Sequence, residues 1–330
     1  MHVNEGKLRD HSKELNYDPF PSILQIESTN KCNFSCVICD SRWQQRPKGE
    51  MRFEVFKAII DQFRPSTLWG AILQGWGEPL LCEDLFQMVK YLSDRRVFGH
   101  FNTNGSLVAG ENIEKIFESG LQSIAFSIDA LDEKTAEKIR ANSKNYPVYQ
   151  NLIDFIKEKK RRGCGPRVIV DFTISNLNFD QVGPTLKFCE MICVDVFNVH
   201  DFFPYPNVVK RFPETRQLAN EELLDLKSIL KNARIQTVYD SWKEPTCRLL
   251  RSWMYIDWDG RVFPCCHFHS TDFLLAENPF DLLSVWHGTR LNAWRQAHIR
   301  YPLCKVSRPM RDPNVSDCKD TWSRSFQAST

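Results

Sequence analysis

Short apolar runs alternate with amphipathic stretches from about residue 21 to residue 199. The apolar runs predict six strands, which are Ile23–Glu27, Ala71–Gln74, Gly99–Asn102, Ser123–Ile128, Val168–Ile174 and Val194–Val199. The stretches between them predict helices, which are Phe53–Phe63, Asp84–Asp94, Ile113–Glu118, Val148–Arg161 and Gln181–Met191. Six β/α units in series predict a parallel sheet with crossover helices, either a barrel or a doubly wound sheet.

The alternation stops at a proline-rich, aromatic stretch, residues 202–213, and a predicted helix over Asn220–Lys231 follows. The chain is then rich in cysteine and tryptophan, and Tyr255–Cys265 predicts a hairpin because an Asp-Gly turn separates two apolar segments. We therefore predict three regions: an N-terminal extension (1–20), an α/β core (21–238) and a small cysteine-rich C-terminal domain (239–330).

Composition and charge argue against several classes of protein. The 330 residues carry a net charge of only +2, so no strong field selects nucleic acid or a membrane surface as a partner. The apolar runs are too short to span a bilayer, and the polar N-terminus lacks the apolar stretch of a secretion signal, which predicts the cytoplasm. Twelve cysteines in a reducing compartment indicate metal or redox chemistry more than disulfides.

Three cysteines, Cys32, Cys36 and Cys39, follow the first predicted strand. A loop of this length allows three thiolates to turn towards one metal centre. Zinc normally takes four protein ligands, and neither a cysteine nor a histidine stands nearby in the sequence as a fourth. A [4Fe–4S] cluster held by three cysteines leaves one iron open for a small ligand. The alternative is a zinc knuckle completed by a distant residue.

The C-x3-C-x2-C spacing after the first strand of a β/α series resembles the radical S-adenosylmethionine (SAM) superfamily. The resemblance implies a partial (β/α)6 TIM-type barrel in which Cys32, Cys36 and Cys39 hold a [4Fe–4S] cluster. It also implies that SAM chelates the open iron and is cleaved to a 5′-deoxyadenosyl radical. Ile38 stands where the family usually has an aromatic residue, and its backbone is expected near the adenine.

Further motifs agree with the resemblance in their order along the chain. The turn Gly75–Pro79 resembles the family's Gly-Gly-Glu segment, which implies that it binds the ammonium group of SAM. Other polar residues come at or after later predicted strands, where barrel enzymes place their chemistry. The residues that the resemblance assigns to SAM are Ile38, Gly77, Glu78, Asn104, Ser127, Asp129 and Asn176.

The segment Asp257–Cys265 resembles the Asp-x-Asp-Gly-x-Val-x-Pro-Cys motif of the SPASM and twitch subfamilies. This implies an auxiliary [4Fe–4S] cluster with ligands Cys247, Cys265 and Cys304. The usual terminal Cys-x-x-Cys reads Cys304 to Ser307 here, so the fourth ligand could be Cys318, Cys266 or Ser307, of which we favour Cys318. The alternatives are a tryptophan-packed cap with free cysteines, or a zinc site.

The leading functional hypothesis is oxidation of a small polar metabolite, such as an amino sugar or an aminocyclitol. The reason is that the chain begins within about twenty residues of the first strand. We therefore expect no room for the N-terminal leader-peptide-binding module that many peptide-modifying relatives carry. His200 and Asp201, at the end of the sixth strand, are candidate bases. A flavodoxin- or ferredoxin-type electron donor is expected.

Three other functions stay open. A peptide maturase would form a cross-link or a thioether in a peptide substrate. A radical epimerase would use Cys266 as a hydrogen-atom donor. The non-enzymatic reading is an iron–sulfur electron carrier or a zinc-dependent binding module, and release of 5′-deoxyadenosine would distinguish an enzyme from both.

Overall fold

The structure is a computed structural model that describes residues 17–240, 249–267 and 273–300. Within these ranges nine strands form one sheet in the order β7-β6-β5-β4-β3-β2-β1-β8-β9. The strands are β1 (Ile23–Ile26), β2 (Gly70–Leu73), β3 (Phe98–Thr103), β4 (Ser123–Ser127), β5 (Arg167–Ile174), β6 (Val196–Asp201), β7 (Gln236–Asp240), β8 (Trp253–Ile256) and β9 (Val262–Phe263). Neighbouring strands are parallel except β8 and β9.

The strand order decides between the two folds that the sequence left open. From β1 to β7 each strand pairs with the next one along the chain, whereas a doubly wound sheet reverses its strand order. The sheet therefore winds in one direction, as in a barrel, and β8 pairs with the other side of β1. In the described part of the chain the edge strands β7 and β9 do not pair with each other, so the barrel is partial and the predicted fold class is confirmed.

The predicted domain division at residue 239 stays a prediction. Strand β7 crosses that position, and β8 and β9 belong to the same sheet as the core strands. The predicted hairpin is present, with Tyr255 opposite Phe263 and with Gly260 in the turn at φ +89°.

The described ranges contain eleven α-helices, most of which pack on the convex face of the sheet. They are α1 (Phe53–Ile60), α2 (Leu85–Asp94), α3 (Glu111–Glu118), α4 (Glu133–Ile139), α5 (Val148–Arg162), α6 (Val182–Ile192), α7 (Pro206–Arg211), α8 (Asn220–Lys231), α9 (Leu249–Ser252), α10 (Leu282–His287) and α11 (Thr289–Arg300). Their apolar sides and alternate strand residues, such as Leu24, Phe101 and Phe126, form the main core. None of the helices that the structure describes has the length and apolarity needed to cross a membrane.

The concave face has an apolar floor and a polar upper part. Ala125, Ile169 and Val196 pack together on β4, β5 and β6. Further along β5 and β6, towards the carboxyl ends of the strands, the residues on this face are polar, among them Asp171 and Asn198. Because barrel enzymes place their sites at the carboxyl ends of the strands, this end, which we call the mouth of the barrel, is the candidate site.

Candidate functional site

The loop after β1 carries the first three cysteines, and its backbone is fixed by the end of helix α4. Ser35 N donates to Ala141 O (3.0 Å), and Val37 N donates to Ile139 O (2.8 Å). Cys32 is exposed, and Cys36 and Cys39 are partly buried. Ile38 lies between them and is also partly buried.

Burial raises the pKa of the Cys36 thiol to about 12 and that of the Cys39 thiol to about 11. Iron binds the thiolate, so a cluster at this loop must displace these protons and needs positive charge nearby. Arg140 supplies such a charge, since it lowers the pKa of all three cysteines against the effect of burial. Arg140 could not be identified from the sequence, because an arginine after a helix belongs to no motif.

Arg140 is held by Asp129, one of the residues predicted to contact SAM. Arg140 Nε lies 2.7 Å from Asp129 Oδ2, and the Asp129 side chain is fully buried. Asp129 Oδ1 accepts a hydrogen bond from Thr173 N (2.7 Å). In this structure the carboxylate therefore orients Arg140 towards the cysteine loop, and a direct contact with SAM stays a prediction.

The turn that contains Gly77 and Glu78 packs against the backbone just before Cys32. Glu78 N donates to Lys31 O (2.8 Å), and the buried Glu78 carboxylate accepts from Thr103 Oγ1 and Asn104 N, both at 2.7 Å. Burial raises the pKa of Glu78 to about 7. Glu78 thus joins the cysteine loop to the end of β3, and its predicted role in binding the ammonium group of SAM is untested.

Gly77 has no room for a side chain. A Cβ atom there would lie 2.3 Å from Thr29 O and 2.5 Å from Lys31 O, which are backbone atoms. We expect Gly77→Ala to displace the loop that leads to Cys32 and to cost about 1–3 kcal/mol of unfolding free energy. Iron retained after anaerobic reconstitution should fall, and urea unfolding should show the loss of stability.

Gly183→Ala is the matched control for this prediction. Gly183 lies in helix α6, where a Cβ would meet no atom within 4 Å, so alanine there should be neutral or stabilising by up to about 1 kcal/mol. Equal iron content and stability in the two variants would show that the close approach at Gly77 does not matter.

Of the predicted SAM residues at later strands, some lie next to the cysteine loop and others contact a different loop. Asn104 Nδ2 donates to Asn33 Oδ1 (2.8 Å), which ties the end of β3 to the cysteine loop, and Ser127 is partly exposed at the end of β4. Asn176 instead holds a neighbouring loop, because its side chain accepts from Arg216 N (2.7 Å) and donates to Glu214 O (3.0 Å). The geometry brings Asn104 to the cysteines and gives Asn176 other partners.

The two candidate bases do not face the same way. His200 is on the concave face, and its Nε2 atom lies 3.0 Å from Asn198 Nδ2 and 3.4 Å from Asp171 Oδ1. Asp201 is buried and accepts a hydrogen bond from Tyr239 OH (2.7 Å). Asp201 points to the opposite face from His200, because successive residues of a strand alternate between the two faces, and its role as a base stays a prediction.

A second group of metal-binding side chains follows β9. The ligand atoms of Cys265, Cys266 and His267 lie within 4.8 Å of one another, and His267 N donates to Cys265 Sγ (3.5 Å). Thiol and imidazole groups are the donors that iron–sulfur and zinc sites use. His267 is not among the predicted ligands, and its position directly after the cysteine pair is the signal in the sequence that points to it.

The other predicted ligands of the auxiliary cluster, Cys247, Cys304 and Cys318, and the alternative Ser307, lie outside the described residues. The assignment of the fourth ligand therefore stays a prediction. The cysteine pair itself differs in burial: Cys265 is buried, whereas Cys266 is partly exposed.

Tyr205 lies between the two cysteine groups. Its hydroxyl is 2.5 Å from His267 Nδ1, and its ring packs against Trp76 with 5.1 Å between the centroids. Burial raises the pKa of Tyr205 well above its usual value, and the thiolates of Cys266, Cys39 and Cys265 raise it further. Ser41 Oγ donates to Trp76 O (2.6 Å) and Ser41 N donates to Cys39 Sγ (3.5 Å), so a series of contacts through Tyr205 joins the two cysteine groups.

Comparison with known proteins agrees with this arrangement. Residues 26–189 match the radical SAM superfamily, and residues 247–319 match the SPASM iron–sulfur cluster-binding domain. An AdoMet-dependent heme synthase of Oleidesulfovibrio alaskensis is 24% identical over 187 residues, which cover 56% of this chain and 47% of that protein. The chain thus spans about half the length of that relative.

Two further similarities extend over more of the chain. The tungsten-containing aldehyde ferredoxin oxidoreductase cofactor-modifying protein of Pyrococcus furiosus is 24% identical over 309 residues, covering 89% of this chain and 86% of that protein. The crystal structure of Streptococcus suis SuiB bound to S-adenosylmethionine superposes with a TM-score of 0.70 at 18% identity, covering 86% of this chain and 70% of SuiB. The second similarity shows a shared fold.

The two family matches confirm the resemblance read from the motifs. The cofactors are SAM, the [4Fe–4S] cluster that binds it and an auxiliary [4Fe–4S] cluster. The chain therefore belongs to the radical SAM superfamily and carries a SPASM iron–sulfur cluster-binding domain.

Proposed function

We propose that this protein dehydrogenates a small polar metabolite, such as an amino sugar or an aminocyclitol, by radical SAM chemistry. When bound, the cluster supplies one electron that splits SAM and releases a 5′-deoxyadenosyl radical. In our proposal Cys32, Cys36 and Cys39 hold that cluster, and Arg140 offsets the charge of their thiolates. Gly77 and Asn104 keep the loop against the strand ends.

The position of Tyr205 carries the proposal of a two-electron oxidation. Because Tyr205 contacts His267, next to Cys265 and Cys266, and also Trp76, which is hydrogen-bonded to the cysteine loop through Ser41, a substrate in the mouth would lie near both cysteine groups. Removal of a hydrogen atom from a C–H bond of an alcohol carbon leaves a substrate radical. That radical becomes a ketone when it loses one electron and one proton. An auxiliary cluster held by Cys265 would supply an electron acceptor, and His200 on the concave face is our candidate acceptor for the proton.

Product mass tests the proposal. The reconstituted protein would be incubated anaerobically with SAM, dithionite and either glucosamine or scyllo-inosamine. We expect 5′-deoxyadenosine together with a product lighter by two hydrogen atoms. If 5′-deoxyadenosine does not form, the radical mechanism is contradicted and an electron carrier is favoured. If it forms but neither compound loses mass, oxidation of this substrate class is contradicted.

The same experiment distinguishes the alternatives. A radical epimerase would leave the mass unchanged in ordinary water and incorporate deuterium from heavy water, with Cys266 as the hydrogen-atom donor. A cross-link or thioether would remove two hydrogen atoms from a peptide and leave both metabolites unchanged. SuiB has been crystallised with its precursor peptide SuiA, so a peptide substrate is the alternative that a structural relative suggests.

We further propose that an acidic electron carrier of the flavodoxin or ferredoxin type docks next to the cysteine loop. Arg42 and Arg211 both stack on Trp43, with their guanidinium carbons 4.5 Å and 3.8 Å from the ring centroid. Both arginines are exposed, and Arg42 Nη1 donates to Ser35 O (3.2 Å), within the cysteine loop. The pair thus places positive charge on the surface beside the proposed cluster.

Charge reversal of this pair should weaken only the reaction driven by the protein donor. For Arg42→Glu/Arg211→Glu we expect the KM for reduced flavodoxin to rise by about tenfold or more at low salt, since like charges now oppose docking. The rate of 5′-deoxyadenosine formation with dithionite should stay close to that of wild type. Equal losses with both reductants would show that the arginines support the cluster loop and do not form a docking surface.

A further inference from the structure

We propose that Asp171 and Asn198 form the floor of a site that binds an ammonium group of the substrate. The inference rests on the proposed function and adds to it how the protein would recognise its substrate, namely by the amino group of an aminated polyol. The two residues are register partners on β5 and β6, on the concave face. They lie one layer nearer the carboxyl ends of the strands than the apolar cluster of Ala125, Ile169 and Val196.

The carboxylate of Asp171 is held by side chains from two other strands. Asp171 Oδ1 accepts from Asn198 Nδ2 (2.9 Å), and Asp171 Oδ2 accepts from Asn102 Nδ2 on β3. Asn102 reaches β5 across β4 because the β4 residue at its level is Ala125, whose side chain is short. These contacts fix the position of the carboxylate but bring no positive charge to it.

The carboxylate of Asp171 stays ionised although it is buried. Asp171 is 6% exposed, and although burial acts to raise its pKa, His200 and His100 outweigh that effect and the pKa is lowered. Burial lowers the pKa of His100, which favours its neutral form. An ionised carboxylate therefore lies among two neutral amides and two imidazoles, of which only the partly exposed His200 is placed to take up a proton. Such a group favours a cationic ligand over an anion.

The side-chain oxygen of Asn198 is a second hydrogen-bond acceptor in this site, and no donor reaches it within the described residues. Its Oδ1 atom is buried and has no hydrogen-bond partner among the residues of the three described ranges, while its Nδ2 atom is used on Asp171. Exchanging the amide oxygen and nitrogen would set an oxygen against the carboxylate, so the orientation is fixed by charge. A buried acceptor without a partner is unfavourable until a donor arrives. An ammonium group offers three donors.

The site adjoins the predicted SAM residues. Ser127 on β4 is the register partner of Asp171, and Thr173, one layer nearer the mouth, pairs in register with His200. A ligand whose amine reached Asp171 would therefore extend towards the partly exposed residues at the strand ends. The carboxylate would recognise the amine, and the reacting carbon would lie nearer the mouth.

Binding can be measured without turnover. Titration calorimetry of the reconstituted protein with SAM would use two matched pairs of probes: glucosamine and glucose, and scyllo-inosamine and scyllo-inositol. We expect at least one amine to bind about tenfold or more tightly than its hydroxyl counterpart. Asp171→Asn should weaken amine binding by about tenfold to a hundredfold, the range for a hydrogen bond to a charged group, and should affect the hydroxyl compound little. Asn198→Leu should weaken it less.

The controls separate recognition from folding. Asp180→Asn removes an exposed carboxylate outside the concave face and should leave all affinities unchanged. Near-ultraviolet circular dichroism and iron content report whether each variant folds. The inference is overturned if neither amine binds, if amines and hydroxyl compounds bind equally, or if Asp171→Asn keeps full amine affinity in a folded protein. Absence of 5′-deoxyadenosine, measured separately, would instead contradict the proposed function.

Discussion

Replacing Cys32, Cys36 and Cys39 together by alanine should abolish formation of 5′-deoxyadenosine. The triple variant lacks every thiolate that the loop after β1 offers, so the cluster that binds SAM has no ligands there. Iron should fall from about eight to about four atoms per chain, since each [4Fe–4S] cluster holds four. Iron and sulfide analysis after anaerobic reconstitution, with product chromatography, measures both effects.

The remaining iron identifies the second site. Adding Cys265→Ala to the triple variant should remove most of the remaining iron, because Cys265 is the buried member of the second cysteine group. Cys164→Ala is the matched control, since Cys164 is exposed and lies away from both groups in the chain. Zinc in the wild-type protein, or full iron retention in the triple variant, would contradict the assignment of the loop.

The sequence predicted those parts of the fold that depend on local patterns. Strands β1, β2, β4 and β5 are mainly apolar and are buried on both faces, and this composition is typical of a parallel sheet. Strand β7 was missed because Gln236–Asp240 is mostly polar, and helix α4 was missed because its seven residues bury only Ala136 and Ile139. The hairpin was found because the turn needs Gly260 at positive φ.

The sequence predicts only those parts of the candidate site whose residues are close together in the chain and have a characteristic spacing. Cysteine spacing identified the loop, but Arg140 and Asp171 depend on residues distant in the chain. Asp171 meets Asn102 across an intervening strand, and Arg140 faces cysteines about a hundred residues earlier. No periodicity or motif records such contacts, because they follow from strand order and register.

A buried ion-pair network joins the cysteine loop to the C-terminal hairpin. Arg46 binds both oxygens of Glu27 at 3.0 Å, and its Nη1 atom also lies 3.0 Å from Asp257 Oδ2. The side chains of Glu27 and Asp257 are fully buried, and that of Arg46 is 9% exposed. Glu27 also accepts from Trp76 N (2.9 Å), so one guanidinium holds the ends of β1 and β8 and the turn after β2.

Arg46→Met should therefore be among the most destabilising single substitutions in the chain. It leaves the buried Glu27 without the cation that binds it and Asp257 with only the partly exposed Arg261 among the described residues, which costs about 3–5 kcal/mol of unfolding free energy. Arg52→Met is the matched control, because Arg52 is 63% exposed and its ion pairs should contribute less than about 1 kcal/mol. Urea unfolding followed by circular dichroism measures both losses.

The pH dependence of this loss gives a second test of the network. Burial raises the pKa of Asp257 to about 8, and removal of Arg46 should raise it further because a nearby positive charge is lost. A carboxyl whose pKa is raised by folding contributes stability at low pH and loses it as the pH rises through that pKa. The deficit of Arg46→Met should therefore be larger at pH 8.5 than at pH 6. A deficit that does not depend on pH, or one no larger than that of Arg52→Met, would show that the carboxylates do not depend on Arg46.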